Sequence, residues 1–129
     1  MATDLAISVK DEPGGLADVG EALGNAGINI IGLFGVGLDG RGVIHLCVDD
    51  AAAARAALEG AGITVDGEAD AILGPPVQNA EEPGTLGVIA RSIANAGVNV
   101  RVAYIATGSR PVVVTDDNAK VLELMKNMM

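Results

Sequence analysis

The chain contains one pattern twice, and this repeat constrains its fold more than any other feature of the 129 residues. Residues 11–16, Asp-Glu-Pro-Gly-Gly-Leu, recur at 81–86 as Glu-Glu-Pro-Gly-Thr-Leu. Residues 25–30, Asn-Ala-Gly-Ile-Asn-Ile, recur at 95–100 as Asn-Ala-Gly-Val-Asn-Val, at the same offset of seventy positions. A repeat of this length is too long for a solenoid unit and indicates a duplicated domain. We therefore predict two small domains, at residues 1–70 and 71–129.

Domains of this size bury only about 60% of the surface that the unfolded chain exposes, so they are marginally stable alone. We expect the copies to pack on each other and on a second chain, giving a homodimer or a higher homo-oligomer. Half of the residues are hydrophobic, but there is one Phe, one Tyr and no Trp. The core must therefore be aliphatic.

The formal net charge of −9 disfavours nucleic acid as a partner, because such binding depends on cationic side chains that neutralise phosphates. It disfavours anionic membrane surfaces for the same reason. No segment approaches the roughly 20 apolar residues of a membrane span, and no signal segment is visible. A single cysteine excludes an intrachain disulfide. We expect a cytoplasmic protein with no nucleic-acid or membrane partner.

The order of predicted elements in copy one is β-α-β-β-α-β, the arrangement of ferredoxin-like α+β folds with antiparallel sheets. Apolar residues alternate along 5–9, recur at helical spacing from Leu16 to Ala26, and fill strands at 28–36 and 43–48 around a Gly-containing turn. Asp49 or Asp50 is expected to cap an alanine-rich second helix, and Asp116 or Asp117 the last one. That last helix carries Val121, Leu124, Met125 and Met128.

We expect copy two to differ from copy one in two respects. Its sequence reaches Met129 at the end of the second helix, so it lacks its own C-terminal strand. Its first strand, predicted at about 72–79, contains Pro75 and Pro76, and proline is tolerated in sheets chiefly at edges. We therefore expect this strand to lie at a sheet edge.

The middle strands of copy one are apolar on both faces, whereas a half-exposed antiparallel sheet has one polar face. Alternation places Ile30 and Phe34 on one face and Ile31 and Leu33 on the other. We expect the sister domain or a second chain to cover the second face, and Phe34 and Tyr104 to pack in the core or between domains.

Glu-Pro-Gly-x-Leu between a strand and a helix, followed by Asn-Ala-Gly-Ile-Asn-Ile at the next helix-to-strand junction, resembles the ACT domain. The resemblance covers nearly the whole chain, twice. It implies a regulatory module that binds a small molecule, usually an amino acid, and transmits binding through a domain interface. Such a ligand commonly lies between the first loop of one unit and the first helix and second strand of its neighbour.

The resemblance implies ligand-binding residues in both first loops and at both strand starts, where family members that bind amino acids often use an asparagine. The candidates are Asp11, Glu12, Gly14, Gly15, Leu16, Asn29, Ile30, Glu82, Gly84, Thr85, Leu86, Asn99 and Val100.

The residue types of these loops suit a free amino acid. Backbone N–H groups at a helix N-terminus bind a carboxylate, carboxylates bind an ammonium, and an asparagine amide offers both a donor and an acceptor. The copies differ in lining, since Gly15 becomes Thr85 and Ile31 becomes Arg101. One site is therefore expected to be better formed than the other.

Structural interpretations remain open for the same residues. Pro-Gly turns commonly join a strand to a helix without binding anything, and Asn29 and Asn99 suit turns. His45 and Cys47 share one strand face, but two ligands do not make a zinc site, and a buried cysteine with a hydrogen-bonded histidine is the ordinary case. We predict no metal and no cofactor.

The single histidine lies in the middle of a predicted strand, so Ser8, Ser92 and Ser109 have no evident histidine partner. We therefore predict that the chain is not an enzyme. We expect a regulatory protein made of two ACT domains that binds an amino acid or a similar small ligand. Without a catalytic domain, it would act on a separate enzyme or through oligomerisation. The alternative is a ligand-free dimerisation or interaction module with the same fold.

Overall fold

The computed structural model describes residues 1–79 and 81–128. The chain divides into two compact units, the first comprising Ala2–Ala69 and the second comprising Met1 with the residues from Asp70 onward. The elements are β1 (Ala2–Lys10), α1 (Gly15–Asn25), β2 (Ile30–Leu38), β3 (Arg41–Val48), α2 (Ala51–Gly60), β4 (Thr64–Leu73), α3 (Thr85–Asn95), β5 (Val100–Ala106), a 3-10 turn (Thr107–Ser109), β6 (Arg110–Thr115) and α4 (Asn118–Met128).

The first unit has the predicted β-α-β-β-α-β order, and its strands lie in the order β2-β3-β1-β4. This is the ferredoxin-like arrangement, with β1 antiparallel to β3 and β3 antiparallel to β2. The two helices bury their apolar residues against one sheet face. The core is aliphatic, as its composition requires: Leu5, Ile7, Val19, Leu23, Ile28, Ile44, Leu46, Val48, Ala54, Leu58 and Ile63.

The second unit repeats this arrangement with three strands. The last residues of β4 pair with β6, where Ile72 faces Val113, and β6 pairs with β5. Helices α3 and α4 cover a smaller aliphatic core, which contains Ile72, Ile93, Val98 and Val121. The side chain of Met128 lies outside what the structure describes. The predicted α+β class and antiparallel ferredoxin-like units are confirmed.

The predicted strand at 72–79 is wrong in extent, because β4 ends at Leu73, before Pro75 and Pro76. The backbone after Leu73 still bonds to β6 and to the turn before it: Gly74 N donates to Pro111 O at 2.8 Å, and Val77 N donates to Ser109 O at 3.0 Å. Neither proline has an N–H to continue a regular ladder. The strand therefore stops and the chain continues as an irregular segment.

The predicted faces of β2 are also wrong, because a β-bulge shifts the register between Ile30 and Gly32. A bulge inserts one residue, so every later side chain changes face. Leu33 therefore lies on the face of Leu46, and Phe34 lies opposite His45. Phe34 is 44% exposed, against the expectation that it would be packed.

Copy two has a bulge at the matching place, between Val100 and Val102 in β5. Bulges often re-aim side chains near functional sites. Here the bulged residue is Arg101, which is exposed. Tyr104, in contrast with Phe34, is buried, as predicted.

The predicted aspartate caps are confirmed at the second helix of each unit. Asp50 Oδ1 accepts from Ala53 N at 3.0 Å, and Asp117 Oδ1 accepts from Lys120 N at 3.1 Å. A cap satisfies an N–H that the first turn of a helix leaves unpaired. The two aspartates therefore have a structural role.

Candidate functional site

The loop between β1 and α1 turns sharply into the helix. Glu12 N donates to Lys10 O at 2.9 Å, and Gly15 N donates to Glu12 O at 3.2 Å. Gly14 precedes the helix with φ of 95°, a left-handed conformation that favours glycine. Among the described residues, no side chain caps the helix there. Because Gly15 N donates to Glu12 O and Asp18 N donates to Gly14 O, the first turn of α1 presents the backbone N–H groups of Leu16 and Ala17.

Gly15 lets the end of β1 lie directly against the start of α1. A side-chain carbon at this position would lie 2.9 Å from Lys10 O and 3.1 Å from a methyl carbon of Val9. Both distances are shorter than normal contacts, so a larger residue would force the strand and helix apart. The close approach fixes the backbone at the end of β1 relative to the start of the helix.

The same loop is held against the β2–β3 hairpin. Asp11 N donates to Gly40 O at 3.2 Å. The Asp11 carboxylate lies over Gly37, where a side-chain carbon would be 2.6 Å from Asp11 Oδ2. Only glycine in β2 permits this approach. The hairpin therefore positions the carboxylate that the sequence assigns to the site.

A cavity of about 350 Å³ lies at this junction of loop, helix and hairpin. Its volume falls within the range of small-molecule sites, roughly 300–1,000 Å³. The lining combines charged loop residues with an apolar and glycine-rich floor: Val9, Lys10, Asp11, Glu12, Gly15, Leu16, Leu33, Gly35, Val36, Gly37, Gly42 and Ile44.

One cation and two carboxylates border this cavity. Lys10, Asp11 and Glu12 are exposed. In the described part of the chain, none of the three takes part in an ion pair. Their charges are thus available to a ligand that carries both signs, beside an apolar floor that can accept its side chain.

The matching loop of the second unit is built differently, because Thr85 stands where the first unit has Gly15. The Thr85 hydroxyl lies 2.8 Å from Asn79 O and 3.1 Å from Glu82 O, so it closes the loop on itself. Gly84 repeats the left-handed conformation of Gly14, with φ of 93°. The turn is therefore conserved between the copies, while the close strand–helix contact is replaced by an internal hydroxyl bridge.

The structure brings four predicted residues of copy one together, since Asp11, Glu12, Gly15 and Leu16 all line the cavity. Leu16 is 61% exposed there, although its helical spacing suggests a core position. The remaining candidates of this copy are placed elsewhere: Gly14 forms the turn behind the lining, and Asn29 and Ile30 lie at the start of β2, outside the lining.

In copy two, Thr85 lines a different cavity, between the helices of that unit. The backbone of Asn99 is paired with Asp116: Asn99 N donates to Asp116 Oδ1 at 3.0 Å, and Asp116 N donates to Asn99 O at 3.1 Å. The other candidates of this copy do not line that cavity: Glu82, Gly84, Leu86, Asn99 and Val100.

Lys10, Gly35 and Gly37 line the first cavity but are not among the residues that the sequence predicts for the site. The sequence does contain features that indicate a role for these three residues. Lys10 is a cation directly before two acidic residues at a turn, and the glycines of β2 recur at 32, 35 and 37. Glycine inside a strand often marks close approach by another group, as Asp11 shows here.

His45 and Cys47 do not form a metal centre within the described residues, where no group of three or more potential ligands occurs. His45 Nδ1 instead lies 2.7 Å from Asp4 Oδ2, and the side chain of Cys47 is buried. Within the same residues, no helix is long and apolar enough to cross a membrane.

Residues 3–62, which include the first loop and its cavity, match the family model of the ACT domain. The match does not extend to the second copy. No curated protein is significantly similar to the sequence.

Solved structures resemble both units of the chain together. A protein from Bacteroides thetaiotaomicron is 24% identical, with a TM-score of 0.80 over 98% of this chain and 88% of that one. The ligand-free regulatory subunit of aspartate kinase from Thermus thermophilus is 22% identical, with a TM-score of 0.69 over 98% and 90%. The corresponding subunit from Thermus flavus has the same identity and TM-score over 98% and 91%. At these identities the likeness establishes the fold.

Proposed function

We propose that the chain is a regulatory protein, without catalytic activity of its own, that binds a free amino acid at the first loop. The observation that carries this proposal is the cavity at Lys10, Asp11 and Glu12, which lies within the segment that matches the ACT domain. Resemblance to regulatory subunits of aspartate kinase supports a regulatory role exerted on a separate enzyme.

The charges suit a zwitterion at both of its ends. The Lys10 ammonium and the N–H groups at the start of α1 attract a ligand carboxylate. Asp11 and Glu12 attract a ligand ammonium. The Asp11 carboxylate lies over Gly37, and the bond from Asp11 N to Gly40 O holds the backbone of this residue at the cavity.

The floor suits a ligand with an aliphatic side chain. Leu33 and Ile44 supply apolar surface, and Gly35, Gly37 and Gly42 leave room above the sheet. In contrast, Lys10 is matched by Ala80 in the sequence of copy two. We therefore assign amino-acid binding to the first unit and a supporting role to the second loop.

A second copy of the chain is the proposed partner that completes this site. β2 is the edge strand of the first unit, and its outer half exposes Leu33, Phe34, Val36 and Leu38 by 43–57%. An exposed apolar edge strand pairs readily with another chain. The same observation favours the second candidate function, a dimerisation module without a ligand, in which this edge associates regardless of amino acids.

Isothermal titration calorimetry with the standard amino acids tests the proposal. We expect saturable binding of at least one amino acid to the unmodified chain, and at least a tenfold loss of affinity in Asp11→Asn. Asp18→Asn is the matched control, because Asp18 carries the same charge in the first turn of α1 but does not line the cavity. It should keep its affinity within about twofold.

Analytical ultracentrifugation separates the two candidate functions. If the protein is a sensor, the bound amino acid should shift the monomer–dimer equilibrium, because a ligand stabilises the state that it binds more tightly. A dimer that forms equally with and without every amino acid, together with no calorimetric heat, would reject the sensor and support the dimerisation module.

A further inference from the structure

The second unit contains an apolar cavity of about 520 Å³ between α3, α4 and the end of β4, separate from the amino-acid site proposed above. We propose that this cavity binds a small, uncharged aliphatic molecule. The lining consists mainly of aliphatic side chains and prolines: Ile72, Gly74, Pro75, Pro76, Val77, Gln78, Asn79, Thr85, Val88, Ile89, Ile93, Pro111, Val113, Val121, Leu124 and Met125.

The duplication explains how this cavity arises. Ile72 pairs with Val113 in the second unit as Leu5 pairs with Leu46 in the first. Two residues further along each strand, the first unit has Ile7, which is fully buried, and the second has Gly74. The second unit thus lacks the core side chain that fills this place in the first, and the Pro111 ring and the Met125 methyl lie there in part, each 3.0 Å from where a carbon at Gly74 would be.

The facing residues are also smaller or more flexible in the second unit. Val113 replaces Leu46, and Met125 lies where the fully buried Leu58 lies in the first unit. A side-chain carbon at Gly74 would be 3.0 Å from Met125 Cε. The methionine thus reaches toward the position of the missing isoleucine, and its flexible, unbranched chain can move aside for a ligand.

The lining also defines the chemistry of the occupant. Among the described residues that line the cavity, none has an ionisable side chain. A buried charge without a partner is strongly disfavoured, so a free amino acid, with two charges, does not suit this cavity. The polar side chains of the lining, Gln78, Asn79 and Thr85, belong to the loop before α3 and to its first residue, where the Thr85 hydroxyl lies 2.8 Å from Asn79 O. A hydroxyl or carbonyl at one end of an aliphatic chain fits this arrangement.

The lining of the cavity reaches solvent at the first turns of α3. Val88 lines the cavity and is 66% exposed, whereas Ile93, deeper in the same helix, is 7% exposed. Apolar lining that runs from solvent into the core gives an aliphatic molecule a path of entry. Apolar cavities in proteins bind small apolar molecules for this reason.

The test uses 1-hexanol as the probe and the ¹³C-labelled methyl group of Met125 as the NMR readout on the full chain. We expect 1-hexanol to shift the Met125 resonance in a saturable manner. Hexanoate, with the same chain and a carboxylate, should bind at least tenfold more weakly. L-Leucine should leave the Met125 resonance unchanged even where it binds at the first loop.

Ile89→Phe fills the cavity, and Ala90→Phe places the same ring on the exposed side of the same helix, outside the lining. The first variant should lose the hexanol response and the second should keep it. Val113→Leu, which restores the residue of the first unit, gives a milder filling if Ile89→Phe does not fold, and should weaken hexanol binding at least threefold.

The proposal is overturned if hexanol leaves the Met125 methyl unchanged, if hexanoate binds equally well, or if a folded filled variant responds like the unmodified chain. None of these results bears on the first loop. Loss of calorimetric amino-acid binding with an intact hexanol response would instead reject the proposed function alone.

Discussion

The two units share the element order β-α-β-β-α and differ where the first strand meets the first helix. From Leu5 to Gly14 the first unit turns tightly, with Gly15 packed on the end of β1. From Ile72 to Gly84 the second unit uses three more residues, and Thr85 closes the loop through its hydroxyl. The left-handed glycine before the helix is the same in both.

The repeated motif therefore specifies the turn, whereas the residues around the turn that would contact a ligand differ between the two units. In the first unit the tight junction places charges beside a glycine floor, and the core beneath is filled. In the second unit the looser junction lacks that arrangement, and the core beneath contains a cavity. A motif match alone therefore identifies the frame of a site without establishing its chemistry.

The largest expected effect comes from opening the filled core of the first unit. Ile7→Ala removes a fully buried side chain, and such truncations cost about 2–5 kcal/mol because of lost burial and the cavity left behind. Urea unfolding followed by circular dichroism measures the change in the free energy of unfolding. A cost below about 1 kcal/mol would mean that the first unit tolerates an open core as the second does.

Gly74→Ala is the matched variant in the second unit. Its new carbon would lie 3.0 Å from Met125 Cε and from a ring carbon of Pro111. The methionine end can move, but the proline ring yields less easily, so we expect a loss of about 1 kcal/mol, the low end for overpacking and smaller than that of Ile7→Ala. A loss comparable to that of Ile7→Ala would contradict the assignment of Met125 as a movable side chain.

Exchange of the two loop residues has the next largest effect. In Gly15→Thr, the new side chain meets Lys10 O and Val9 at the short distances given above, and overpacking of this kind costs about 1–3 kcal/mol. We expect the variant to lose amino-acid binding by calorimetry, because strand and helix must separate. Retained binding would show that the tight junction is not needed for the site.

The reverse exchange, Thr85→Gly, removes a hydroxyl that bridges two backbone carbonyls of an exposed loop. We expect a loss of about 1 kcal/mol, typical of one hydrogen bond. It should leave the first-unit site unchanged. The two exchanges together measure how much of the difference between the units depends on this single position.

Much of the frame follows from local sequence, whereas the faces and the cavities depend on long-range register. The turns at Gly14 and Gly84, and the caps at Asp50 and Asp117, are predictable because glycine and aspartate act on neighbouring backbone groups. The side chains of β2 beyond Ile30 were assigned to the wrong sheet faces. The bulge responsible depends on pairing with β3, and the alternation of apolar residues along β2 alone does not reveal it.

The same distinction between local sequence and long-range register explains which residues of the candidate site could be predicted from the sequence. Asp11, Glu12, Gly15 and Leu16 belong to the repeated motif and line the cavity. The role of the β2 glycines in the cavity could not be predicted from local sequence, because it depends on the hairpin folding against the loop. The cavity of the second unit depends on a shift of three residues between the copies, so alignment at the repeat offset pairs Gly74 with the wrong residue.

The smallest expected effect is a matched pair of cap removals, which tests whether the units are equally stable at their shared features. Asp50→Ala and Asp117→Ala each leave one helix N–H unpaired, and such changes cost about 0.5–2 kcal/mol. Hydrogen exchange measured by mass spectrometry over α2 and α4 reports each helix separately. Asp49→Ala is the control, because Asp50 and not Asp49 provides the cap.

Because α4 lies on the core with the cavity, the same loss of a cap should raise hydrogen exchange more in α4 than in α2. Equal increases would show that the cavity does not weaken the packing of α4.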